Sequence, residues 1–287
     1  MSFLIDAFEP AFMQRALIGG LIAVVATSLV GTWIVLRGLA FLGDALAHGV
    51  IPGVALAVLW GFNPALGAFL SALVMSGLVT MVSNRTVVRD DTAIGLLFVG
   101  MLALGVTIIS KTGSFKTDVT VALFGDSLGI TSVDIRNQII YTSIVILCTV
   151  LLYRPFLALT FNEMKAQTLG MSPKLSQAAL LALLSLAIVA SFQAIGTLLV
   201  FGLLVAPPAT ATLLVRKVPL IMITSILVGF IAVVSGLLIS FHYGTAGGAT
   251  MAGISVLEFF VVMIVQSTYR ALQKNKSKNQ AELVQTT

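Results

Sequence analysis

Few side chains in this sequence can do chemistry, and two of them stand four residues apart. Asp44 and His48 lie in the string Gly43-Asp-Ala-Leu-Ala-His-Gly-Val-Ile-Pro-Gly53. On a helix that spacing puts both on one face, with Cβ atoms about 5–6 Å apart. A carboxylate oxygen and an imidazole nitrogen so placed can ligate one divalent transition metal. The small residues around them leave space for an ion or a neighbouring helix. The competing reading is a buried hydrogen-bonded clamp. The medium decides between the two: at membrane depth an ionisable group is expensive and marks a functional site by default. Two ligands are too few for a specific site, so a twofold pairing that gives two Asp and two His is expected.

Three further ionisable residues are candidates for a secondary pore or gate. Glu258 lies in the last long apolar run and either relays an ion or pairs with a polar group on another helix. Asp126 lines an outer vestibule or caps a helix. His242, beside Tyr243, is a gate ligand or an interfacial structural residue. Pro52, Pro207 and Pro208 are expected to kink their helices and free backbone carbonyls. There is no Walker loop, no Gly-x-Ser-x-Gly elbow and no Cys-x-x-Cys. Hydrolysis, thiol redox chemistry and phosphoryl transfer therefore have no sequence support, and no catalytic residue is assigned. Cys148, the only cysteine, cannot form an internal disulfide and reads as a small buried hydrophobe.

The elements that must position these residues follow from composition. Of 287 residues, 58% are hydrophobic and 9% are charged, against roughly 25% charged in a soluble domain. Mean hydropathy is +1.08. The chain therefore reads as an all-α polytopic membrane protein, with residues 1–268 as one transmembrane domain and 269–287 as a polar cytoplasmic tail without fixed structure. Each span needs about 20 apolar residues. About nine spans are expected, near 11–36, 48–60, 64–83, 92–110, 137–152, 175–190, 195–215, 219–241 and 249–268. Eight is the rival count. Residues 119–130 are too short and too polar to cross, and read as a re-entrant or broken segment.

Basic residues set the orientation. With the C-terminus cytoplasmic, only Arg15, Lys111, Lys116 and Arg136 of the 16 Lys and Arg lie outside. The N-terminus is then extracytoplasmic. The longest cytoplasmic connection, 154–174, holds a short amphipathic helix over 161–169. Phe161, Met164 and Leu169 supply its apolar face, Glu163 its polar side, and Gly170 its C-cap. Such a helix suits docking into a groove on a partner protein, or lies on the bilayer surface.

Taken together, these landmarks resemble the manganese/zinc/iron class of ABC importer permeases, the ABC-3 type. The Gly43–Gly53 string is similar to that family's signature. Asp91-Thr-Ala-Ile-Gly95, Leu123-Phe-Gly-Asp-Ser-Leu-Gly129, the 161–171 segment and Ala206-Pro-Pro-Ala-Thr-Ala211 fall in the family's order. The likeness covers residues 10–268. Pro208 departs from the family's usual Pro-Ala, and the His242–Gly248 turn also departs from it. The resemblance implies a transport subunit, not an enzyme, in the bacterial plasma membrane. It implies a second copy, separate cytoplasmic ATP-binding subunits docked on residues 161–170, an extracytoplasmic metal-binding protein and surrounding lipid. No nucleic acid is involved. Asp44 and His48 fall on the family's pore ligands. No cofactor is held permanently; ATP acts only through the partner. The cargo leans to Mn²⁺ over Zn²⁺, with Fe²⁺ third. The alternative is a proton-coupled secondary metal transporter working without an ATPase, with Asp44, His48 and Glu258 as its relay.

Overall fold

The computed structural model describes residues 6–85, 90–110, 129–161, 164, 167, 170–195 and 197–285. Among them there is no strand. After a short 3-10 turn, Asp6–Phe8, the helices are α1 (Ala11–Leu36), α2 (Ala40–Gly49), α3 (Ile51–Trp60), α4 (Pro64–Arg85) and α5 (Asp90–Ser110). Then come α6 (Ser132–Leu151), α7 (Tyr153–Phe161), α8 (Pro173–Ile195), α9 (Thr197–Leu214), α10 (Val218–Tyr243) and α11 (Gly247–Gln285). Among the described residues, eight segments are long and apolar enough to cross a membrane, with α2 and α3 together forming one of them. The apolar stretch Val200–Leu214 is shorter. Asp126 and residues 119–128 of the expected broken segment lie outside the described residues.

Local chemistry explains the boundaries. The second span begins at Ala40 rather than at 48, so it holds both Asp44 and His48 within its length. The apolar run alone starts the span at His48; the helix extends back through Asp44, and both side chains stay partly exposed. Thr131 and Asp134 form a reciprocal capping box that starts α6 at Ser132, ahead of the expected 137. Pro155 cannot donate to the carbonyl of Leu151, and the chain steps at Leu152 into α7. The tail differs from the expected unstructured one: α11 continues to Gln285. Ala, Leu, Gln, Lys and Glu dominate 271–285, without Gly or Pro, and all favour helix.

The centre of the bundle is α1, α2–α3 and α8, whose spans are mostly buried; α5, α6 and α11 lie at the periphery. Helix α1 packs against α6, α8, α9 and α10. Its small residues let those helices approach, and Gln138 of α6 donates to the carbonyl of Gly19 at 2.9 Å. Peripheral faces carry exposed apolar side chains such as Leu96, Val99, Leu257 and Ile264. On a water-soluble protein such surface would be an aggregation hazard; in a bilayer it is the lipid-facing side.

Candidate metal-binding site

The Asp–His pair is carried by α2. Gly38, at φ 68°, makes the left-handed turn that joins α1 to it. Asp44 and His48 then fall one turn apart. Nδ1 of His48 lies 3.0 Å from the Asp44 carbonyl oxygen and 3.5 Å from Asp44 Oδ1. A carbonyl only accepts, so Nδ1 carries the proton and donates to it. That leaves Nε2 as the ring nitrogen turned to a ligand, as in a histidine oriented through its other nitrogen. Phe98 of α5 meets the imidazole edge-on, with centroids 5.0 Å apart. The side chains are 14% exposed for His48 and 27% for Asp44, so the pair opens to the surface of the chain.

Behind the pair the helix is interrupted. Pro52 offers no N–H to the carbonyl of His48, and α2 passes into α3 at Val50. The expected kink at Pro52 is thus a break with Pro in the first turn of α3. The next carbonyl, that of Gly49, accepts a hydrogen bond from Ser71 Oγ of α4 at 2.6 Å. Helices α3 and α4 touch backbone to backbone here: a Cβ on Gly53 would lie 2.0 Å from the Gly67 carbonyl oxygen. The Gly67–Ser71 pair is visible in the sequence as a small-xxx-small motif. The bond from Ser71 to Gly49, and Phe98 against His48, are not; their partners lie far apart in sequence.

The remaining candidates are placed elsewhere. Glu258 of α11, the helix that packs against α9 and α10, has a buried Oε2 with no hydrogen-bond partner. One turn earlier, Ser255 is fully buried with an unpartnered hydroxyl. His242 is exposed at the end of α10, with Nδ1 2.9 Å from the Leu238 carbonyl oxygen and its ring against Phe241. Among the described residues no group of three or more His, Cys, Asp or Glu comes together, so neither Glu258 nor His242 joins Asp44 and His48. Pro207 and Pro208 stay inside a continuous α9. Phe161 and Met164 are well exposed, as a docking face requires, and Gly170 is left-handed at φ 74°, its N–H on the Gln167 carbonyl at 3.0 Å. Glu163 and Leu169 lie outside the described residues.

A bundle of helices long and apolar enough to cross a membrane, with a carboxylate–imidazole pair among the described residues, fits a membrane transport component. The chain belongs to the ABC 3 transport family, whose sequence model matches residues 9–266. It is a transport subunit of that class and not an enzyme. It is 33% identical to the manganese transport system membrane protein MntC of Listeria monocytogenes, over 92% of this chain and 94% of that one. It is 31% identical to the chelated iron transport system membrane protein YfeD of Yersinia pestis, over 96% and 92%. A solved structure, PsaBC from Streptococcus pneumoniae in complex with Fab, superposes with a TM-score of 0.85 at 29% identity, covering 94% of this chain and 98% of that chain.

Proposed function

We propose that the chain is the membrane-spanning permease of an ATP-driven importer of divalent transition metal ions, Mn²⁺ before Zn²⁺ and Fe²⁺. The observation that carries the proposal is the Asp44–His48 pair, an imidazole and a carboxylate on one helix face and open to the chain's surface. A transition metal needs about four ligands or more, so two chains meet at a twofold axis and each gives two. Oxygen character favours Mn²⁺, and relatives are named for manganese and for iron. An extracytoplasmic binding protein delivers the ion. Cytoplasmic ATP-binding subunits dock on residues 161–170 and drive alternating access, in which the two states hold the metal with different affinity. With Val200–Leu214 as a ninth crossing beside the eight longer segments, the N-terminus is extracytoplasmic and the C-terminus cytoplasmic.

The reading without an ATPase needed Glu258 to complete a relay with the pair. Family membership and the separation of Glu258 from Asp44 and His48 favour the ATP-driven one. The test measures cellular Mn, Zn and Fe together with and without the gene, then with Asp44→Ala and His48→Ala chains at normal membrane abundance. Loss of metal accumulation in both variants is expected, Mn most of all. Undiminished accumulation would discard the site.

A further inference from the structure

Leu204 of α9 is fully buried and touches two helices at once. Its carbonyl has lost its helical partner, because residue 208 is proline and has no N–H. That oxygen lies against α1: a Cβ on Gly31 would stand 1.9 Å from it and 3.1 Å from Pro208 Cγ. The Leu204 side chain reaches α2. A Cβ on Gly43 would stand 2.7 Å from Leu204 Cδ2. Gly43 is the residue before Asp44. Its backbone against α1 and its side chain against α2 thus fasten α2 to α1 beside the metal ligand.

We infer that Leu204 is a positioning residue that sets where Asp44 stands and so which metal the site accepts. The inference rests on the proposed metal site. Zn²⁺ accepts a tetrahedral four-ligand shell, whereas Mn²⁺ favours oxygen-rich shells of higher coordination. A fixed α2 holds the carboxylates at one separation and admits one of these shells. A loosened α2 lets the carboxylates follow whichever ion arrives. Pro208 is part of the device, since it releases the carbonyl that seats on Gly31.

The test uses the whole transporter in cells, with Mn²⁺ accumulation read alone and against added Zn²⁺. Gly43→Ala pushes a methyl onto Leu204 Cδ2, the movable end of a side chain, so the chain still folds. Accumulation of Mn²⁺ is expected to fall about tenfold, the scale of lost support behind a metal ligand. Gly43→Ala with Leu204→Ala is expected to restore it, because the methyl then has room. Leu204→Ala alone is expected to be inhibited by less Zn²⁺ than the unmodified chain, with inhibition read relative to that variant's own Mn²⁺ uptake. Val205→Ala, on the same helix but facing α11, controls for general loosening. The inference is overturned if the double variant is no better than Gly43→Ala, or if Val205→Ala changes Zn²⁺ inhibition equally. Asp44→Ala runs in parallel. Its loss of uptake together with a failed rescue rejects the role of Leu204 alone; its normal uptake rejects the metal site as well.

Discussion

At the scale of single residues, the Asp44–His48 pair stands beside a helix break that a hydrogen bond from the neighbouring helix ties down. Pro52 ends the hydrogen bonding of α2, and Ser71 then takes up the Gly49 carbonyl next to His48. Ser71→Ala leaves that carbonyl buried and unpaired, at about 1–3 kcal/mol. The expected result is a lower unfolding temperature in detergent and weaker metal accumulation, with both returning in Ser71→Thr if the hydroxyl keeps its direction. A variant with an unchanged melt would show that the hydrogen bond does not stabilise the break. The Asp–His spacing was legible because two ionisable groups stand out in apolar sequence. Their supporters were not: serine, phenylalanine and leucine are ordinary residues in a membrane helix. What distinguishes Ser71, Phe98 and Leu204 is a partner that only the packing reveals.

At the scale of elements, the apolar runs located the spans because each must cover roughly the same thickness with apolar side chains. Starts and ends were harder to read. The capping box at Thr131 and Asp134 and the polar side chains at 44 and 48 lie at boundaries that hydropathy alone places elsewhere. Helix α7 was read only as the start of a loop. Its nine residues are too few for a span; it packs against α1, α6 and α8, and two aromatic rings join it to α1. Phe156 is fully buried and meets Trp33 of α1 edge-on at 5.7 Å, with Tyr153 against the same indole at 5.6 Å. This contact ties the segment leading to Phe161 and Met164 to the helix that precedes the metal pair. Phe156→Ala empties a site that the bundle cannot refill, and such truncations cost about 3–5 kcal/mol. Thermal unfolding of the purified transporter should show a clear drop, with Phe156→Leu between the two. If the alanine chain melts like the original, α7 is not anchored through Trp33.

At the scale of the whole molecule, the scarcity of charge that excludes a soluble enzyme also limits what one copy can bind. The chain brings two ligands to one place and opens them to its own surface. The proposed pore would draw its remaining ligands from a second copy, and this can be tested without resolving the pair. Suppose cells make equal amounts of the original chain and an Asp44→Ala chain. Random pairing in a twofold assembly leaves about a quarter of the transporters with four intact ligands. If the ion needs ligands from both copies, mixed pairs lose transport, and uptake should fall to about a quarter of the value with original chain alone. If each copy conducts by itself, uptake should stay near one half. Equal membrane abundance of the two chains, checked with distinct tags, makes the two outcomes separable. A result near one half would place the whole pore inside one copy and remove the twofold axis from the mechanism.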